Sequence, residues 1–214
     1  SGRWPNTNMF EAVTTAAWFG AALAVVLELW ARRTAMRNLF ALGASVAAIT
    51  ALMAAHFLPV ALTPSIGNKM PVLHDIWLYI HTNVIIASYC LIFMAAVSAL
   101  LYLVHRVFTG KVEYASLGGA GTLILGGGGP ASGGAGGSAD SDRATKGQVF
   151  DGVTMVLMEL SFVMLWAGLV MGAIWADHSW GRPWGWDPKE VFALCTFLIF
   201  ALLVHVRMKV KDKG

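Results

Sequence analysis

Five long apolar stretches alternate with short polar segments along the chain. They cover residues 10–30, 39–58, 77–104, 153–175 and 191–206. An α-helix needs about 20 apolar residues to cross the hydrocarbon core of a bilayer. The last stretch is short, but Trp184 and Trp186 precede it and extend it into the headgroup layer, where tryptophan is enriched. The pattern predicts an all-α, integral membrane helical bundle with about five transmembrane helices.

The composition agrees with a membrane protein and excludes several other classes. Hydrophobic residues make up 57% of the chain and charged residues 13%, whereas a soluble domain carries about a quarter charged residues. We therefore expect the lipid bilayer as a partner. Nucleic acid is not an expected partner, because the basic residues lie between the apolar stretches. The two cysteines, Cys90 and Cys195, form no CxxC or CxxCH motif, which excludes a thioredoxin motif and covalent attachment of c-type haem to this chain.

Lysine and arginine are distributed unevenly between the two sides of the predicted bundle. Eleven lie in segment 31–38, in segment 105–149 and in the tail from Arg207, and four lie in the alternate segments. Basic residues favour the cytoplasmic side. The predicted topology therefore has residues 59–76 and 176–190 outside and the tail in the cytoplasm.

The chain divides into three predicted regions. Residues 1–109 hold the first three spans, 110–149 form a flexible, Gly-rich cytoplasmic loop, and 150–214 hold the last two spans. Runs such as Gly126–Gly129 are typical of a flexible linker. The loop lacks the GK[ST] sequence that a phosphate-binding loop requires.

The segment WGRPWGWDPKE at residues 180–190 is the densest group of aromatic residues. One interpretation is an aromatic belt at the membrane interface. The other is a platform for a large planar ligand, whose carboxylates the indole N–H groups and Arg182 would meet. Gly181 and Gly185 would let flat rings lie close to the backbone. Asp187 and Pro188 predict the start of a helix, with Asp187 as N-cap.

The same segment resembles the tryptophan-rich WWD signature, WGxxWxWDPKE, of haem-handling proteins of cytochrome c biogenesis, and the chain is most similar to the CcsA (ResC) family. Three further stretches agree with that family. They are SGRWPNTNMFE at 1–11, PVLHDIWLYIH at 71–81 and ELSFVMLWAGLVMGAIW at 159–175. Phe10 stands where the family has tyrosine, and Asp75 where it has serine.

The resemblance implies a haem b protein that delivers haem at the outer face for attachment to apocytochrome c, as a component of a cytochrome c haem lyase. It implies His81 as the external axial ligand of the haem iron and His205 as a ligand within the membrane. The implied haem-facing surface consists of Trp180, Trp184, Trp186 and Asp187. A CcsB (ResB)-like membrane protein is the implied partner. The implied location is the bacterial inner membrane or the thylakoid membrane, with the WWD motif on the periplasmic or lumenal side.

The sequence supports a role in haem binding less strongly for the remaining histidines. His56 lies at a depth similar to that of His81 and is a candidate second ligand. His74 and His178 are candidates for lining the platform. His205 follows Glu190 by 15 residues, which places it roughly 22 Å deeper along a helix, whereas His81 lies near the outer face. One haem is too small to use both histidines as axial ligands across that distance. The sequence therefore predicts two haem positions, one deep and one external.

Two other functions are compatible with the sequence. One is a haem b electron-transfer subunit of a larger respiratory or photosynthetic membrane complex, which would use the same histidines. The other is a transporter without haem, although the spans contain few polar residues for a central cavity. Family members also have a span before and a span after the region found here, with a second external histidine. The chain is therefore either part of a longer protein or a shortened relative.

Overall fold

The structure is a computed structural model that describes residues 8–31, 38–58, 75–112, 114 and 145–209. It contains five helices: α1 (Met9–Ala31), α2 (Leu39–Phe57), α3 (Ile76–Thr109), α4 (Lys146–Trp180) and α5 (Pro188–Lys209). All five are long and apolar enough to cross a membrane. The predicted all-α membrane bundle is therefore confirmed. His74, most of the 1–11 motif and residues 115–144 of the Gly-rich loop lie outside the described residues.

The two central helices are longer than predicted, because polar residues at their ends cap them. The Asp75 carboxylate accepts a hydrogen bond from the Trp77 N–H (2.9 Å) at the start of α3, and Gly110 ends that helix in a left-handed conformation. Thr145 and Gln148 form a capping box at the start of α4. Helix α4 therefore begins at Lys146, within the last four residues of the segment predicted as a loop.

Helices α3 and α4 form an antiparallel pair at the centre of the bundle. Ser88 of α3 donates to the Ser161 carbonyl (3.2 Å), and farther along α3 the Ser98 hydroxyl meets that of Thr154 (2.8 Å). The α1–α2 hairpin packs on α3, and α5 packs on α4. The apolar core between the hairpin and the central pair includes Ala24, Phe40, Met94, Val153 and Leu157.

A carboxylate joins the end of α1 to the start of α2. The Glu28 carboxylate of α1 accepts hydrogen bonds from the backbone N–H groups of Asn38 (3.0 Å) and Ala41 (3.1 Å). Asn38 makes no side-chain cap of its own. Glu28 therefore supplies the N-terminal cap of α2 from the neighbouring helix.

Helix α5 is the least enclosed of the five, because only 6% of its most apolar 18-residue stretch is buried. Near its C-terminal end Arg207 forms an ion pair with Asp151 of α4, and the Arg207 guanidinium lies 4.8 Å from the Tyr114 ring centroid. Large apolar side chains such as Phe192, Ile199 and Leu202 are exposed along it. Such a surface suits lipid, so the chain is an integral membrane protein.

Candidate functional site

The tryptophan-rich segment is the short connection between α4 and α5. Helix α4 ends at Trp180, and Gly181 follows in the left-handed region (φ 67°), where its N–H donates to the Asp177 carbonyl (2.8 Å). Helix α5 begins at Pro188. The connection therefore places its aromatic rings at the outer end predicted for these two helices.

Two indoles of this segment contact each other edge to face. The ring centroids of Trp184 and Trp186 are 5.8 Å apart and the planes meet at 84°, so the two rings do not form one flat surface. Trp184 is half-buried, whereas Trp180 and Trp186 are exposed. The Nε1 atom of Trp184 is buried without a hydrogen-bond partner among the described residues. Its N–H is a donor suited to a carboxylate or another acceptor on a ligand.

The two glycines of the turn differ in their surroundings. Gly181 is required by its positive φ, and among the described residues nothing lies within 4 Å of the position that its Cβ would take. A Cβ at Gly185 would lie 3.3 Å from the guanidinium carbon of Arg182. The space beside Gly185 therefore borders Arg182, and the close approach of a flat ring to this backbone stays a prediction.

Asp187 is the N-cap of α5, as predicted, and it works together with Glu190. The Asp187 Oδ1 atom accepts from the Glu190 N–H (2.8 Å). In return the Glu190 Oε2 atom accepts from the N–H groups of Gly185 (2.8 Å) and Asp187 (3.3 Å). The Asp187 carboxylate therefore serves the helix start, and the prediction that it belongs to a haem-facing surface remains a prediction.

His81 lies half-buried between α3 and α4, seated on two glycines. Its Nδ1 atom lies 2.8 Å from the Gly168 carbonyl oxygen. A Cβ at Gly172 would lie 2.8 Å from the ring carbon Cε1 of His81. Because a carbonyl oxygen only accepts, Nδ1 carries the hydrogen, and in the neutral ring Nε2 then carries the lone pair. This is the arrangement that a backbone carbonyl imposes on metal-ligating histidines.

His205 lies on the exposed side of α5. Its Nδ1 atom is 2.7 Å from the Ala201 carbonyl oxygen, and its ring meets Phe162 of α4 edge to face (5.9 Å, 85°). Phe162 precedes Gly172 by ten residues, about 15 Å along α4. His81 and His205 therefore lie at different depths and on different faces of α4. They cannot both bind one iron atom in this arrangement.

The contacts described for the other candidate histidines are with residues other than the tryptophans. His56 is exposed and contacts the neighbouring Phe57 ring (5.0 Å). The Nδ1 atom of His178 lies 3.9 Å from the Asp75 carboxylate, so it joins the ends of α3 and α4. None of the contacts among the described residues joins either histidine to His81.

Four residues that shape the site in the structure are not among the site residues predicted from the sequence. Gly168 and Gly172 form the seat of His81, Trp175 has a buried Nε1 atom without a described partner, and Glu190 binds the turn. Three of them have a sequence signal. Gly168 and Gly172 have the GxxxG spacing of close helix packing, and Asp187 with Glu190 has the spacing of a capping box.

The fold and the site together define a multi-spanning helical membrane protein with an oriented histidine and an outer aromatic turn. Comparison with known proteins narrows this class. The sequence model of the cytochrome c assembly protein family matches residues 6–214. The chain belongs to the cytochrome c assembly protein family, and its role lies in cytochrome c biogenesis.

Individual relatives agree with this assignment. The chain is 26% identical over 226 residues to the cytochrome c biogenesis protein CcsA of Pyropia yezoensis, across 100% of this chain and 70% of the relative. It is 28% identical over 212 residues to that of Parasynechococcus marenigrum, across 97% of this chain and 66% of the relative. With CcsA of a Synechococcus strain the identity is 29% over 209 residues, with coverage of 97% and 66%. The chain thus spans about two thirds of these relatives.

Proposed function

We propose that this chain binds haem b and presents it at the outer face of the membrane for attachment to apocytochrome c. Its relatives are named for cytochrome c biogenesis, which supports the assembly role. A CcsB-like membrane protein is the proposed partner, and the membrane is the bacterial inner membrane or the thylakoid membrane. The tryptophan-rich turn faces the periplasm or the lumen.

The state of His81 is the observation that carries this proposal. Its Nδ1–H is fixed by the Gly168 carbonyl, which leaves Nε2 as the atom suited to an iron. Within the described residues, no three His, Cys, Asp or Glu side chains are grouped to hold a bare metal ion. A single imidazole of this kind fits the axial position of a haem, whose porphyrin supplies the other ligands.

The residues of the outer end fit the rest of a haem. Trp180 and Trp186 offer exposed indole faces for an apolar ring. The buried Nε1–H groups of Trp175 and Trp184 and the exposed Arg182 are donors suited to propionate groups. When bound, reduced haem supplies the vinyl groups that react with apocytochrome thiols, and the chain's own residues hold and orient it.

His205 supports a second, deeper haem position. An ionisable residue within a span is a functional candidate by default. The Nδ1 atom of His205 is hydrogen-bonded to the Ala201 carbonyl of its own helix. The exposed ring lies on a side of α5 that a partner helix can reach. We propose that haem is held there within the bilayer and moves outward to His81.

The test compares conservative tryptophan variants in a cell whose own cytochrome c maturation system is deleted. Trp184→Phe and Trp186→Phe should keep normal expression but lower both haem content and the yield of mature cytochrome c. Trp166→Phe is the matched control, because Trp166 is an exposed tryptophan in the middle of α4. An aromatic belt would tolerate all three exchanges. Full maturation and full haem content in both turn variants would contradict the proposed site.

A further inference from the structure

The backbone of the tryptophan-rich turn adopts a conformation that its own sequence disfavours. Trp186 has a φ of 57°, and it is one of two residues other than glycine with positive φ in the described part of the chain. A left-handed conformation places Cβ close to the following carbonyl oxygen, so a bulky residue adopts it only where the surroundings enforce it. Something must therefore hold the backbone at Trp186.

The two peptide groups on either side of Trp186 are bound by one carboxylate. Glu190 accepts hydrogen bonds from the N–H of Gly185 (2.8 Å) and from the N–H of Asp187 (3.3 Å), both at its Oε2 atom. Gly185 precedes Trp186 and Asp187 follows it. The carboxylate thus bridges the left-handed residue, and hydrogen bonds to an ionised acceptor are stronger than neutral ones.

The carboxylate is itself fixed to the start of α5. Glu190 occupies the third helical position, and its N–H donates to the Asp187 Oδ1 atom (2.8 Å). The hydrogen bonds therefore link the first turn of α5 to the backbone around Trp186. The negative charge also lies at a helix N-terminus, where it is favoured.

We infer that Glu190 is a positioning residue that sets the angle between the Trp184 and Trp186 rings, and through it the affinity of the outer site for a haem-like planar ligand. The affinity part of this inference rests on the proposed function. The positioning part does not, because it concerns the geometry of the turn alone. Asp187 contributes the helix cap, whereas Glu190 binds the backbone on either side of Trp186.

A measurement without haem tests the positioning. The transition dipoles of two indoles at a fixed angle couple and give a circular dichroism couplet in the far ultraviolet. The couplet is obtained by subtracting the spectrum of Trp186→Phe from that of the parent protein. Glu190→Ala should lose this couplet, and Glu190→Gln, whose amide oxygen still accepts both bonds, should retain part of it. Lys189→Ala, the neighbouring control, should retain all of it. The same spectra report helix content, so unfolding is recognised. An unchanged couplet in folded Glu190→Ala would overturn the inference.

A double-mutant cycle tests the effect on the ligand. We expect Glu190→Ala to weaken haem binding at the outer site about tenfold, the value of one charge-assisted hydrogen bond. If Glu190 acts through Trp186, adding Trp186→Phe should cause little further loss, since residues that act as a unit are not additive. Additive losses would contradict an action through Trp186. If Trp186→Phe alone leaves haem binding unchanged, the proposed haem site fails, while the couplet still decides the positioning.

Discussion

The imidazole of His81 occupies space that exists only because Gly172 has no side chain. A Cβ at Gly172 would lie 2.8 Å from Cε1 and 3.0 Å from Nδ1 of the ring. A Cβ at Gly168 would overlap with Ile85. The close approach of α3 to α4 and the orientation of the imidazole thus depend on the same two glycines.

We predict that Gly172→Ala displaces the imidazole and lowers the haem content of the outer site. Alanine favours a helix over glycine by about 1 kcal/mol, so helix stability alone would predict an improvement. Gly20→Ala is the control, because its Cβ would make an ordinary contact with Cys90 Sγ at 3.4 Å. Haem content is measured as the pyridine haemochrome of the purified variants. Equal haem content in Gly172→Ala and the parent would show that haem binding does not depend on the space at Gly172.

Single residues were only partly predictable from the sequence. His81 stood out through its position in a motif, and Asp187 through the local rule for helix starts. The seat of His81 joins residues almost ninety positions apart, and local pattern carries no information on such a contact. The conformation of Trp186 cannot be predicted from its own residue type, because it depends on the two hydrogen bonds that Glu190 accepts on either side of it.

Among the elements, α5 is held chiefly at its two ends. The N-terminal end is fixed by Asp187 and Glu190, and the C-terminal end by the ion pair of Arg207 with the buried Asp151. Between these ends much of the helix is exposed. The position of His205, two residues before Arg207, therefore depends on that ion pair.

We predict that Arg207→Ala lowers thermal stability and reduces haem at His205 while leaving the outer site intact. Asp151 would lose the guanidinium of Arg207, and a hydrogen bond to a charged group contributes about 1.5–3 kcal/mol. Lys209→Ala is the matched control, since Lys209 is an exposed cation one turn from His205. Thermal unfolding in detergent and haem content are measured together. A variant as stable and as haem-loaded as Lys209→Ala would contradict this role of the ion pair.

The number and order of helices were predictable because the bilayer imposes a length on apolar stretches. Their ends were less predictable. Helices α3 and α4 run to 34 and 35 residues, about 50 Å each, because capped polar turns extend them beyond the apolar stretches. Hydropathy records only the part that lies in hydrocarbon, whereas Thr145 and Gly181 decide where α4 begins and ends.

For the whole molecule, the distribution of basic residues predicts which side of the membrane each connection occupies. Ser138→Cys, in a background that carries Cys195→Ser, should resist labelling by a membrane-impermeant thiol reagent applied to the periplasmic or lumenal side. A cysteine at Arg182 in the same background is the control and should react. Efficient labelling of the Ser138 variant in sealed cells would contradict the predicted orientation.

The bundle separates two imidazoles that share one helix as their support. His81 rests on Gly168 and Gly172 of α4, whereas His205 contacts Phe162, ten residues before Gly172 in the same helix. The two supports are therefore about 15 Å apart along α4. This separation is consistent with the two haem positions that the proposed function requires.

The central claim is tested most directly by the haem content of four purified proteins, measured as pyridine haemochrome. These are the parent, His81→Ala, His205→Ala and the double variant. The account predicts haem b in the parent, a partial loss in each single variant that added imidazole partly restores, and an almost complete loss in the double variant. A parent without haem b, or a double variant that retains the parent's haem, would contradict it.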